Sequence, residues 1–132
     1  MSFLKNHPTE ILILLFLIVT FLQSGFDKIT DWKGNLSFVK SHFANSPLKN
    51  MVPLLLATIL VIEVLAGVLM IVGIYQLSTN GIKDIALIGA ELSAITLIFL
   101  LIGQRLAKDY AGAMTLAVYF ATTIFGVYLL SK

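Results

Sequence analysis

The chain has 132 residues, of which 58% are hydrophobic and 12% charged, and its mean hydropathy is +0.96. Soluble domains average about 25% charged residues, so this composition excludes a small soluble domain and indicates a protein surrounded by lipid. The net charge of +2 is not concentrated in any basic run, so we expect no nucleic-acid partner. Cysteine is absent, which excludes disulfides, thiolate metal sites and dithiol redox chemistry.

Four apolar segments are long enough to cross a bilayer as helices, which takes about 20 residues each. They cover residues 9–29, 53–74, 85–103 and 111–130. Short connections, one of them containing the turn sequence "STNG", make the later spans antiparallel neighbours. The sequence therefore predicts an all-α fold, in which one domain, residues 1–132, forms an integral membrane four-helix antiparallel bundle. A cleaved signal peptide is the alternative for the first span, but no clean cleavage pattern follows it.

Between the first two spans, residues 35–45 predict a short amphipathic helix at the membrane interface. Leu36, Val39 and Phe43 recur at helical spacing, and Pro47 ends the pattern. The alternative is an ordinary polar loop with scattered apolar residues.

The distribution of basic residues predicts the orientation of the bundle. Six lie at one membrane face and three at the other, so the positive-inside rule places both termini outside the cytoplasm. The two sets are Lys28, Lys33, Lys40, Lys49, Arg105 and Lys108, and Lys5, Lys83 and Lys132.

Glu63 stands alone in the apolar stretch "ILVIEVLAGVLMIVG", near the middle of the second span. A charge at the centre of a membrane helix costs about 2.5–3.5 kcal/mol on insertion scales. We therefore expect Glu63 to face the bundle interior, where a cation, a proton or hydrogen-bond donors would neutralise it. Lys28 is the first candidate partner and Arg105 the second.

Further polar residues occur in the other spans. Ser24 and Lys28 lie four residues apart in the first span, and Arg105 follows Glu91 by fourteen residues, which returns it to nearly the same helix face. Two interpretations stay open: a site for a polar head group, a quinone or a proton, or a hydrogen-bonded network that fixes helix register. The predicted buried cluster is Glu63, Lys28, Glu91, Arg105, Ser24 and Gln23.

Glycines in and near the spans predict places where helices approach closely, because they carry no side chain. The predicted close-packing positions are Gly25, Gly67, Gly73 and Gly112. The pattern predicts no catalytic residue and no metal ligands. The two histidines, His7 and His42, lie outside the spans, where they could not hold a haem between membrane helices.

Three motifs, "QSGFDKITDWKG", "EVLAGVLMIVG" and "GQRLAKDYAGA", resemble those of the DoxX family of small four-helix membrane proteins, in the same order over almost the whole chain. The family pattern falls here on Gly25, Lys28, Glu63, Gly67, Gly73, Gly103, Arg105, Asp109, Tyr110 and Gly112. Members often carry an arginine early in the first helix, where this chain has Leu15 and apolar neighbours. The resemblance implies a subunit associated with quinol oxidases or other quinone-linked complexes, in a bacterial inner membrane.

Three functions follow as hypotheses. The first is a non-catalytic accessory or scaffold subunit, whose partner is another membrane protein or a second copy of this chain. The alternatives are a quinone- or lipid-binding component of a membrane oxidoreductase and a small proton-coupled transporter. No residue pattern requires a cofactor, and quinone is the one candidate.

Overall fold

A computed structural model describes residues 7–132. Its helices are α1 (Pro8–Thr30), α2 (Trp32–His42), α3 (Val52–Asn80), α4 (Asp84–Leu106) and α5 (Tyr110–Leu130). One turn of 3-10 helix, Lys49–Met51, leads into α3, and no strand occurs among these residues. The predicted all-α fold is confirmed.

Four of the helices are long and apolar enough to cross a membrane, namely α1, α3 with its 3-10 turn, α4 and α5. Large apolar side chains are exposed on all four, which is the surface expected of a protein whose solvent is lipid. The chain is therefore a multi-pass membrane protein with four spans.

Local signals in the sequence set the helix ends. Pro8 occupies the first turn of α1, where its missing N–H costs nothing. Asp31 caps α2 by accepting a hydrogen bond from the Gly34 N–H at 3.2 Å, and Asp109 caps α5 in the same way through Gly112 at 2.9 Å. Such caps satisfy backbone donors that would otherwise lack partners.

The second span is longer than predicted. It was expected to end at residue 74, but α3 continues through the polar residues to Asn80. The Thr79 hydroxyl donates to the Tyr75 carbonyl at 2.8 Å and so stays within the helix. Only Gly81, with a φ of 67°, leaves it in the left-handed conformation that suits a helix C-terminus.

The packing of the spans is uneven. Helix α3 packs closely against α1 and α4, and α4 packs closely against α5, whereas α1 and α5 contact each other much less. The backbones of α3 and α4 approach each other closely, since a Cβ on Gly73 would fall 2.5 Å from the Ala86 Cα. The loose α1–α5 side is where the bundle opens.

The interfacial helix is present as α2, so the polar-loop alternative is wrong. It begins at Trp32 and ends at His42, about three residues earlier at each end than predicted. Capping by Asp31 explains the early start. None of its residues is buried, so α2 lies against the bundle rather than within it.

Candidate functional site: a lateral cleft at Glu63

The structure brings Lys28 and Glu63 together inside the bundle. Glu63 is 3% exposed, and Lys28 Nζ lies 2.9 Å from Glu63 Oε1. Lys28 Nζ also donates to Ser24 Oγ at 2.6 Å, because four-residue spacing puts both side chains on one face of α1. An ion pair across α1 and α3 thus compensates the carboxylate in the middle of α3.

The pairing leaves one carboxylate oxygen short of hydrogen bonds. Lys28 Nζ lies 2.9 Å from Glu63 Oε1, and no other described donor reaches this buried atom. A carboxylate accepts about four hydrogen bonds, and Glu63 therefore has acceptor capacity to spare.

Glu63 lines a cleft of about 400 Å³ between α1 and α5. Leu97 and Leu100 from α4 and Leu116 from α5 supply apolar walls. Val19, which is 61% exposed, lies at the rim, so the cleft opens sideways on the lipid-facing surface. The cleft therefore connects a buried carboxylate to the membrane phase rather than to water alone.

Aromatic and hydroxyl groups complete the lining of this cleft. Phe21 of α1 and Tyr119 of α5 are among the lining residues, and the Tyr119 ring lies 6.1 Å from that of Phe16. The Thr20 hydroxyl donates to the Phe16 carbonyl at 2.8 Å and so has its donor engaged within α1. The cleft combines apolar walls with two carboxylates, Glu63 and Asp27, and Lys28 does not line it but contacts Glu63 at 2.9 Å.

Three residues predicted for the buried cluster are exposed, and one of them, Gln23, still lines the same cleft as Glu63. Glu91 and Arg105 are exposed, and Gln23 is exposed at the cleft rim. Helix α4 turns its small residues, among them Gly89 and Ser93, toward the interior, which leaves the face of Glu91 and Arg105 outside. The prediction that Glu91 and Arg105 join Glu63 was wrong.

The predicted glycine contacts are of two kinds. Gly25, Gly67 and Gly73 each lie against a neighbouring helix, through Val64, Leu22 and Ala86 respectively. Gly112 lies instead against Gln104 at the end of α4 and against its own capping residue Asp109. Two further close approaches were missed, Gly89 against Met70 and Gly126 against Ile13, although a glycine inside a span is itself a signal.

A second polar contact fastens α2 to the connection between α4 and α5. His42 Nε2 lies 2.7 Å from Gln104 Oε1 and 3.4 Å from Asp109 Oδ2. The ring also packs edge-on against Phe43, with centroids 5.2 Å apart. Sequence reasoning missed this contact, because it joins residues about 60 positions apart with no shared pattern.

Ion pairs at the other end of the bundle are looser. Glu10 lies 3.7 Å from both His7 and Lys83. Among residues 7–132, no group of three or more histidine, aspartate or glutamate side chains is placed to hold a metal ion.

Comparison with known proteins gives no match to this chain among protein-family models, curated proteins or solved structures. The resemblance to the DoxX family stays a prediction based on the three motifs.

Proposed function

We propose that this protein is a small membrane subunit that binds the head group of a quinone in the lateral cleft. One observation carries the proposal: Glu63 lines the cleft as a buried carboxylate whose one polar contact among residues 7–132 is the Lys28 ammonium at 2.9 Å, so it can accept a hydrogen bond from a further donor. A ligand that enters from the bilayer and carries a hydroxyl group would supply that donor.

Both redox forms of a quinone match Glu63, which lines the cleft, and Lys28, which contacts Glu63 at 2.9 Å. A quinol hydroxyl donates to the Glu63 carboxylate, and a quinone carbonyl accepts from the Lys28 ammonium, which has three N–H donors. One of these goes to Ser24 at 2.6 Å and one faces Glu63 at 2.9 Å, which leaves the third donor for the ligand. The volume of about 400 Å³ lies within the range of small-molecule sites, and the aromatic and leucine walls suit a flat ring. The resemblance to a family linked with quinone complexes agrees with this ligand.

Solvent extraction of the purified protein tests the proposal. The protein is purified in mild detergent from a quinone-containing membrane, and the quinone recovered per mole of protein is measured by chromatography. We expect a near-stoichiometric amount from the wild type and at least a fivefold smaller amount from Glu63→Gln. Glu91→Gln is the matched control, since it makes the same change at an exposed carboxyl group of the next span.

A second variant distinguishes loss of the binding site from misfolding of Glu63→Gln. Leu116→Trp fills the cleft from α5 and leaves the Lys28–Glu63 pair intact, and it too should lose quinone. Equal quinone in all four proteins, or no quinone in the wild type, would contradict the proposal.

A specific observation also supports an accessory role. Glu91 is exposed beside Ile88 and Ile95 on the outer face of α4, where an uncompensated carboxyl group in lipid is costly. A helix from another membrane protein, with a hydrogen-bond donor or a cation at that depth, would offset the cost. We propose α4 as the docking face for such a partner within a quinone-linked complex.

Cross-linking in native membranes tests the docking face. A photoreactive residue in place of Ile95 should capture a partner, and capture should fall in the additional presence of Glu91→Gln but not of Glu63→Gln. Capture of a second copy of this chain alone, or none, would argue against a distinct partner protein.

We propose further that the protein lies in a bacterial inner membrane with both termini outside the cytoplasm. Lys33, Lys40, Lys49 and Lys108 are exposed at the α2 end of the bundle, which supports this orientation under the positive-inside rule. Lys5, one of the three basic residues predicted at the opposite membrane face, lies outside the described residues. A C-terminal alkaline phosphatase fusion should be active, and a C-terminal fluorescent protein that folds only in the cytoplasm should be dark.

A further inference from the structure

We propose that the outer groove between α4 and α5 is a binding site for an anionic phospholipid, with Arg105 as the anchor for its phosphate. This site is separate from the quinone cleft and does not depend on it. It binds the phosphate of the lipid at the membrane interface and one of its acyl chains along the groove.

The groove has the shape and polarity that a phospholipid requires. It is an open surface depression of about 660 Å³, lined mainly by apolar side chains, among them Ile102, Ala113, Met114 and Ala117. It extends along α5 from Tyr110 to Ala117, which is roughly 10 Å at 1.5 Å per residue. The small side chains of Ala113 and Ala117 make the depression in which an acyl chain lies.

A single cation stands at the interfacial end of this groove. Arg105 occupies the last turn of α4, and its Cζ lies 5.3 Å above the centre of the Tyr110 ring. The guanidinium forms no ion pair with any carboxylate of residues 7–132. Asp109, the nearest acid in sequence, is engaged by the Gly112 N–H at 2.9 Å and by His42 at 3.4 Å.

Charge complementarity identifies the occupant. A guanidinium presents a planar set of N–H donors that matches the oxygens of a phosphate, and Tyr110 fixes its position at the level of the lipid head groups. A transmembrane helix of another protein would fill the apolar groove but would need a carboxylate at its end. A phospholipid supplies an anion and an apolar chain in one molecule, and the membrane holds it at high concentration.

Native mass spectrometry of the detergent-solubilised protein tests the site. The protein is titrated with dioleoylphosphatidylglycerol or with dioleoylphosphatidylcholine, and the bound lipids are counted. We expect one phosphatidylglycerol to bind more tightly than the rest and more tightly than phosphatidylcholine. Arg105→Gln should weaken that binding about tenfold, as the loss of charged hydrogen bonds implies.

Two further variants distinguish specific binding in the groove from general attraction of an anionic lipid to positive charge. Ala117→Phe fills the groove at an exposed position without changing any charge, and it should weaken the same binding event. Lys132→Gln is the matched control, because Lys132 also lies over a tyrosine ring, 4.6 Å from the centre of Tyr128, but away from this groove.

The outcomes decide as follows. Loss of the tight phosphatidylglycerol in Arg105→Gln and Ala117→Phe, with Lys132→Gln unchanged, supports the site. Loss in Arg105→Gln alone would mean that the phosphate is attracted without the groove, and would overturn the proposal. Equal binding in all variants, or an equal effect of Lys132→Gln, would overturn it as well.

Discussion

Glu63 and Glu91 lie on adjacent spans, and their carboxyl groups face opposite surroundings. Gly89 packs against Met70, which puts Glu91 level with Val68 of the antiparallel helix α3, roughly 8 Å from the depth of Glu63. Glu63 is buried beside Lys28, whereas Glu91 is exposed on the outer surface. One acid therefore belongs to an internal site and the other to a surface that faces lipid or a partner.

The two carboxyl groups should differ in chemical reactivity toward a hydrophobic reagent. Dicyclohexylcarbodiimide partitions into the bilayer and modifies protonated carboxyl groups that it can reach. We expect peptide mapping to find the adduct on Glu91 well before Glu63, because Glu63 is buried and paired with a cation. Faster modification of Glu63 would mean that the faces of α3 or α4 are assigned wrongly.

The Lys28–Glu63 pair should show strong coupling in a double-mutant cycle. Lys28→Met leaves a buried carboxylate without its cation, and breaking such a pair costs about 3–5 kcal/mol. We expect Lys28→Met with Glu63→Gln to recover at least half of that loss, measured by unfolding in mixed micelles. Additive effects of the two changes would show that the residues do not interact.

The looser pair at the other end of the bundle provides the control for that cycle. Lys83 lies 3.7 Å from Glu10, and its side chain is 25% exposed against 14% for Lys28. Lys83→Met should therefore cost no more than about 1 kcal/mol.

The close contact of α3 with α4 should tolerate no added methyl group. A Cβ at Gly73 would meet the Ala86 backbone at 2.5 Å, and backbone cannot rotate away as a side chain can. Gly73→Ala should lower the free energy of unfolding by about 1–3 kcal/mol. Gly103→Ala, whose Cβ would meet only Phe43 atoms at 3.5 Å or more, should be close to neutral, and equal losses would refute the contact.

The docking of α2 should depend on His42. His42→Ala removes the contacts with Gln104 at 2.7 Å and Asp109 at 3.4 Å, so α2 should detach more often. We expect faster amide hydrogen exchange over residues 32–43 in His42→Ala and no change in Ser41→Ala, where the side chain is exposed. Unchanged exchange in both would show that α2 is held by other contacts.

The sequence predicts the fold because the signals for spanning helices are strong and local. The length and hydropathy of each apolar segment are enough to predict the four spans. The free-energy cost of a charge in lipid is enough to predict that Glu63 faces the bundle interior. The four-residue spacing of Ser24 and Lys28 likewise places them on one face. These predictions need only the period of a helix and the nature of the solvent.

The burial of individual polar residues on α4 could not be predicted in the same way. Fourteen residues do return Arg105 to nearly the face of Glu91, and both are exposed. The sequence does not show which face of α4 turns toward the bundle interior. That face carries small residues such as Gly89 and Ser93, and its polarity does not distinguish it from the outer face. The His42 contact was invisible for another reason, since it depends on how α2 folds back on the bundle.

Photoaffinity labelling with a short-chain azidoquinone tests the central claim most directly. Label on the cleft residues of α1 and α5, among them Thr20 and Tyr119, should be abundant in the wild type. It should fall at least fivefold in Glu63→Gln and stay unchanged in Glu91→Gln. Label spread over the outer surface of the bundle, or equal cleft labelling in Glu63→Gln, would contradict a quinone site built on the buried Lys28–Glu63 pair.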